Sequence, residues 1–207
     1  RTMLSPFRSD TSRNQPSNSK FIFGPSTWIR GMIKPPPGRF IAYIDWSQQE
    51  LGIAAALSGD KKMMKAYQSG DPYLKFAQMA GAVPDNATKQ THPTERAAYK
   101  VCMLAVQYGM KAYSLSHQLS KTRHDANRLL QAHKDTFPDY WRWNGRILDQ
   151  GFGNGTLKTT FAWRRIVLSE AKPASVGNFP VQGNGAEMLR LAIIKMHESG
   201  IQVAAPI

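Results

Sequence analysis

Two carboxylates, two cations and a tyrosine stand at spacings that could do chemistry on a nucleotide. Asp45 ends the apolar run Phe40-Ile41-Ala42-Tyr43-Ile44, and Glu50 follows five residues later. A strand that delivers a carboxylate to its exposed end and turns straight into a helix holds a metal ligand rigidly. The same carboxylate is equally readable as a strand-end solubiliser, and that stretch alone leaves both readings open. Arg96, Lys100, Leu104 and Tyr108 recur every four residues. In a helix they share one slowly drifting stripe about 18 Å long at 1.5 Å rise per residue. Its basic end lies near the helix N-terminus, where the dipole and free N–H groups favour phosphate. Leu104 and Tyr108 offer an aliphatic and an aromatic surface on which a base could rest. A solvated surface stripe satisfies the same spacing.

These residues need elements to position them. The run 40–44 is aromatic and β-branched, which predicts a buried strand. Ser47 is then the expected N-cap of a helix to Leu57, with Glu50 at capping-box spacing and Gly59 as its left-handed stop. Further helices are expected from Lys61 to Gln68 and from Tyr73 to Ala80, the latter started by Asp71-Pro72. His92 caps the stripe helix, Pro93 and Glu95 take its first and third positions, and the helix runs from Thr94 to Gln107, breaking at Tyr108-Gly109. Ala112 to Leu119, Asp125 to Thr136 and Tyr140 to Gln150 read as helices, with Gly151 to Gly155 as turn material. Leu157 to Phe161 and Arg164 to Leu168 read as a short hairpin. Asn184 to Ser199 is an amphipathic helix, and Gln202 to Ile207 is β-like. Residues 1–39 are polar, basic and Pro/Ser/Asn-rich, extended except at Phe21-Ile22-Phe23, and end in a stiff Pro-rich linker. The pattern is mixed α/β with helices dominant.

At 207 residues the chain holds one large core or two small lobes. Its net charge of +13 points to a polyanionic partner, nucleic acid first. Residues 1–40 and 96–134 each carry seven basic side chains against one acid, while 41–95 is close to balanced. Two basic zones thus flank the candidate carboxylates. The single cysteine, Cys102, excludes an intramolecular disulfide, and no Cys/His cluster has zinc spacing. A reducing, cytoplasmic location is expected. No apolar run of transmembrane length and no signal pattern is present, so no membrane role is expected. His92, His117, His124, His133 and His197 are expected to be structural or surface groups.

Three stretches together resemble the DNA polymerase I family (family A). Asp45-Trp46-Ser47-Gln48-Gln49-Glu50 is similar to the family's motif A, roughly D-Y-S-Q-I-E, and is followed by a matching Leu57-Ser58-Gly59-Asp60. Arg96, Lys100, Leu104, Tyr108 and Gly109 resemble motif B, R-x3-K-x3-[F/Y]-x3-Y-G. Asn178-Phe179-Pro180-Val181-Gln182-Gly183 resembles N-x-P-[V/I]-Q-G. Weaker matches are Ser9-Asp10 with Asn14-Gln15-Pro16, and Phe137-Pro138. They stand in family order along nearly the whole chain.

The resemblance implies the α/β (α+β) fold of a right-hand polymerase, a palm sheet with an inserted helical fingers subdomain. Residues 1–60 would be the first part of the palm with motif A, 61–150 the fingers with motif B, and 151–207 the return to the palm. The implied activity is template-directed DNA synthesis on primer-template DNA from dNTPs, with no obligate protein partner evident. Two Mg2+ ions would be bridged by Asp45, and the Trp46 carbonyl would bind one of them. Arg96 and Lys100 would hold the triphosphate, and Lys100 could protonate the leaving group. Gln48, Glu50, Tyr73, Leu104 and Tyr108 would complete the dNTP site, Glu50 and Tyr108 excluding a 2′-hydroxyl. Asn14, Gln15, Tyr108, Gly109 and Gln182 would contact DNA, partly through the minor groove. The helix 94–108 would swing against the new base pair.

Departures from the family pattern qualify this. Leu104 replaces a Phe or Tyr, as in phage and uncultured-virus members, so altered nucleotide selectivity is expected. Tyr73 replaces a His and keeps a donor without its charge. Trp46 replaces Tyr, tolerable if its backbone carbonyl contributes. Motif C, a strand ending in His-Asp with the second metal carboxylate, is expected just beyond Ile207, and the thumb before Arg1. The chain therefore resembles a palm-and-fingers fragment that does not polymerise alone. Two alternatives stand beside it: a single-subunit RNA polymerase-like enzyme, against which Glu50 argues, and a DNA-binding remnant without catalysis.

Overall fold

The computed structural model describes residues 4–5, 8–16 and 27–203. Helices dominate. In chain order they are a 3-10 turn at Thr27–Met32, α1 (Gln49–Ser58), α2 (Lys61–Gln68), α3 (Pro72–Met79), α4 (Pro93–Gln107), α5 (Ala112–Leu119), α6 (Arg123–Thr136), α7 (Pro138–Asn154) and α8 (Pro173–Glu198). Two antiparallel pairs accompany them among the described residues. β1 (Leu4–Ser5) pairs with β2 (Gln15–Pro16), and β3 (Thr156–Lys158) pairs with β4 (Arg164–Ile166) in the register Leu157 to Arg165. None of the described helices is long and apolar enough to cross a membrane.

Local chemistry sets most helix ends. Asp60 and Asp71 accept from the amides of Met63 and Leu74 at 2.9 and 3.2 Å, each satisfying an orphan N–H at a helix start. Gly59 closes α1 at φ 69°, donating its N–H to the Ala55 carbonyl. Pro occupies the first turn of α3, α4, α7 and α8, where its missing N–H costs nothing. The main core lies among α1 to α7. Phe76 is fully buried at its centre, edge-on to Tyr99 at 4.6 Å and beside His133 and Phe137 at 5.2 and 5.1 Å. Burying such a ring is worth roughly 1.5–3 kcal/mol. A smaller cluster of Leu157, Val167, Val176 and Phe179 joins the β3–β4 pair to α8.

Several sequence expectations need correction. The run Phe40–Ile44 is neither a strand nor buried: Phe40 is 88% exposed and Ile44 72%. A strand needs a neighbour to take its N–H and C=O groups, and no described residue pairs with this run. The cap of α1 is Gln48, in a left-handed conformation at φ 42° and with no side-chain capping bond. The Ser47 hydroxyl donates instead to Gln48 Oε1 at 2.8 Å, and Glu50 turns away from the cap amide, so no capping box forms.

The last helix is ten residues longer than its amphipathic end. α8 begins at Pro173 and runs straight through Asn178 to Gly183, with Pro180 inside it. Pro and Gly oppose a helix there by propensity. Packing overrides them: Val176, Phe179 and Val181 are buried, and a Cβ on Gly183 would stand 2.5 Å from Thr159 Cγ2. Likewise α7 continues across Gly151 and Gly153 to a left-handed stop at Gly155. Phe21 to Phe23 lies outside the described residues. So does Ala204 to Ile207, while Gln202 and Val203 are not strand.

Candidate nucleotide and nucleic-acid site

The α4 stripe is real. Tyr99, Cys102, Met103, Ala105 and Val106 face the core, whereas Lys100, Leu104 and Tyr108 are exposed along the opposite side with Arg96 half-buried. α3 packs against α4 and sets Tyr73, 8% exposed, beneath the basic end. The Arg96 guanidinium and Lys100 Nζ sit 5.6 and 5.7 Å from the Tyr73 ring centroid. Arg96 is also tied to Asp71, Nε to Oδ2 at 2.5 Å. Burial pushes the Tyr73 phenol up from its ordinary value, Arg96 opposing and Asp71 reinforcing. Tyr73 therefore offers a neutral O–H donor beside two cations, a combination suited to phosphate oxygens.

The other end of the stripe meets α1. Tyr108 Oη donates to Glu50 Oε2 at 3.2 Å, with Oε1 at 3.5 Å, across 58 residues of sequence. Burial raises the Tyr108 phenol first, and the Glu50 charge adds to it, while Arg13 lowers it. Gly109 follows at φ 64°, and a Cβ there would lie 3.0 Å from the Ala174 Cα on α8. Its place is a packing position between α4 and α8.

α8 is the common support. Gln49 Nε2, one residue before Glu50, donates to the Gly185 carbonyl at 3.2 Å. Arg190 binds Ser12 through its hydroxyl, at 2.8 Å, and its carbonyl. This docks the segment carrying half-buried Asn14 and exposed Gln15 on the helix that carries half-buried Gln182. Gln48 is half-buried at the start of α1.

Asp45 and Trp46 are exposed in the irregular stretch before α1. An exposed carboxylate is a donor type that suits Mg2+, which takes one or two carboxylates plus substrate phosphates. Among the described residues no group of three or more His, Cys, Asp or Glu is arranged to hold a metal ion. Asp45 fits one ligand position, and the described donors do not complete a two-ion site.

Two site-facing residues escaped the sequence reading. Asp71 was legible as a helix start, but its ion pair to Arg96 spans 25 residues. Arg13, whose Nη1 lies 3.6 Å from Glu50 Oε1, carried no local signal beyond its basic surroundings.

A stripe on α4 with a basic end, a carboxylate–tyrosine contact at its other end and the long helix α8 packed behind both make up the candidate site. The Pol1 polymerase domain of M. smegmatis, solved in complex with DNA primer-template and dNTP, shares this fold. It superposes with a TM-score of 0.80 at 23% identity, over 97% of this chain and 38% of that one. The DNA polymerase family A profile matches residues 24–204. The chain belongs to that family. It is 31% identical to the thermostable DNA polymerase I of Thermus aquaticus over 178 residues, 81% of this chain and 21% of the relative. It is 27% identical to the DNA polymerase of Mycobacterium phage D29, over 96% of this chain and 32% of the relative. The chain thus spans about a fifth to a third of these relatives' lengths.

Proposed function

We propose that this chain forms palm and fingers parts of a DNA-directed DNA polymerase that extends a primer on a template from dNTPs. The observation that carries the reading is the α4 face: Arg96 and Lys100 at one end, and Tyr108 bound to Glu50 at the other. Residues 1–60 and 151–207 serve the palm, and 61–150 the fingers. Arg96, Lys100 and the Tyr73 hydroxyl bind the triphosphate, and Leu104 gives the base an apolar rest without a ring. Glu50 and Tyr108 close the space a 2′-hydroxyl would need, which favours DNA over RNA synthesis. Gln48 borders the nucleotide site, while Asn14, Gln15 and Gln182 face the duplex, and the basic segments track its phosphates.

In the reaction the primer 3′-hydroxyl gives its proton to water, its oxygen attacks the α-phosphorus to form a new P–O bond, and the bond from that phosphorus to the α–β bridging oxygen breaks. Lys100 gives its proton to the departing pyrophosphate. Asp45 and the Trp46 carbonyl would hold Mg2+, which when bound stabilises charge on the attacking and leaving oxygens. The enzyme works in the cytoplasm, or in a host's cytoplasm if viral.

The test is primer extension by the full-length protein that contains these residues. K100A lowers dNTP insertion by a hundredfold or so, the scale of a lost general acid, and D45A lowers it at least as far by removing a proposed Mg2+ ligand. The isolated 207-residue chain, with Asp45 its one proposed metal carboxylate, extends nothing. Full insertion by D45A would sink the proposal.

A further inference from the structure

We propose that Arg13 is a positioning residue for the sugar-discriminating carboxylate, so that selection between deoxy- and ribonucleotides depends on the segment preceding the Asn14-Gln15 stretch. The inference rests on the polymerase reading and on Glu50 acting at the sugar. Glu50 is approached from two sides. Tyr108 donates to Oε2 at 3.2 Å from one side. Arg13 Nη1 approaches Oε1 at 3.6 Å from another. The Arg13 charge also acts on Tyr108, lowering a phenol that burial and Glu50 raise. Side chains from three separate stretches therefore meet at Glu50, at the end of the α4 stripe.

A single tyrosine contact would leave the carboxylate free to rotate about its own axis. A cation near the second oxygen opposes that rotation as an ion pair at 3.6 Å, a distance that biases the carboxylate against turning aside to admit a hydroxyl without locking it. Arg13 can supply this hold because its own backbone is pinned. Ser12, fully buried at φ 57°, is gripped by Arg190 from α8, and its N–H donates a turn bond to the Ser9 carbonyl at 2.8 Å. Trp163 Nε1 donates to the Asp10 carbonyl at 2.9 Å, and the Asp10 carboxylate pairs with Arg165 at 3.5 Å. Such anchoring buries Thr11 and Ser12 and leaves the Asp10 and Arg13 side chains exposed. It fixes where the Arg13 guanidinium stands relative to Glu50.

The experiment uses the full-length protein on a primer-template, with single-turnover insertion of dCTP and CTP. Four variants are compared: R13Q, R13K, E50A and R13Q/E50A. R13Q lowers the deoxy-over-ribo preference about three- to fivefold, the scale of a partly exposed ion pair, mainly through faster CTP insertion. R13K retains most of the preference. In the E50A background R13Q changes the preference no further, because Arg13 acts through Glu50. The inference is overturned if R13Q leaves the preference intact, if it slows both nucleotides in proportion, or if it acts equally with and without Glu50. A wild-type protein that inserts neither nucleotide, or an E50A variant with unaltered preference, overturns the polymerase or sugar-gate reading itself and the inference with it.

Discussion

Asp71 holds Arg96 through an ion pair of 2.5 Å, and the same carboxylate caps α3 by accepting from Leu74 N at 3.2 Å. The cation proposed to meet a triphosphate is thus already shared with an anion on the neighbouring helix. D71N keeps the cap, since Asn is as good an N-cap as Asp, and removes the competing charge. Nucleotide affinity on primer-template should tighten about two- to fivefold at low salt, the worth of a partly exposed pair. The gain should shrink as salt rises. Titrating dNTP against pre-steady-state insertion rate at two ionic strengths checks this, and weaker binding by D71N would mean that Asp71 aims Arg96 rather than competing for it.

Gly109 is constrained twice. Its φ of 64° is left-handed, and a Cβ there would overlap the Ala174 Cβ and stand 3.0 Å from the Ala174 Cα. G109A therefore adds a conformational penalty to a steric one, together about 2–4 kcal/mol. Urea unfolding should show a lower midpoint at unchanged slope. The double variant G109A/A174G should recover part of the loss, since it relieves the side-chain overlap and leaves the backbone strain.

His133 is fully buried among Phe76, Phe137, Tyr140 and Trp141, and its Nδ1 accepts from Trp141 Nε1 at 3.0 Å. Burial holds its imidazole down at about 3 against an ordinary 6.5. Between those values the unfolded chain binds a proton that the folded chain does not. Stability is therefore unaffected by His133 above about pH 6.5 and falls as pH drops below it, by up to about 1.4 kcal/mol per unit. H133Q keeps an acceptor for Trp141 and removes the titration. The difference in urea midpoint between wild type and H133Q should be flat above pH 7 and move in favour of H133Q on acidification to pH 4.5; a difference constant over the whole range would show that His133 does not titrate on unfolding.

What the sequence disclosed follows the range of the interaction. Gly59, Pro93 and Asp71 act within one turn of themselves, and the helices they bound stand within a residue or two of expectation. The α4 stripe was legible because four-residue spacing has one geometric meaning on a helix. Its function was not: only the family resemblance joined Glu50 to Tyr108. Pro180 and Gly183 misled because their propensity is local while the packing of Phe179 and Val181 is not. The run 40–44 misled in the opposite way, its composition promising a strand that no described neighbour completes. Cys102 behaves as its apolar surroundings dictate, its thiol pushed up to about 12 by burial.

Asp60 shows both ranges in one side chain, and they can be separated. Its Oδ1 accepts from Met63 N at 2.9 Å, a local cap on α2. Its Oδ2 accepts from Tyr140 N at 3.1 Å, 80 residues away in the first turn of α7. The carboxylate is buried, so neither amide can turn to water if it is lost. D60S retains a hydroxyl for the cap but cannot reach Tyr140, whereas D60A loses both bonds. The step from D60S to D60A should then cost about 1 kcal/mol, the worth of a helix cap. The step from wild type to D60S should cost about 1–3 kcal/mol, because it leaves a buried N–H unpaired. Denaturant unfolding of the three proteins measures both steps. If D60S unfolds with the wild-type midpoint, the bond to Tyr140 contributes nothing, and the start of α7 is held by its packing against α1 and α6 alone.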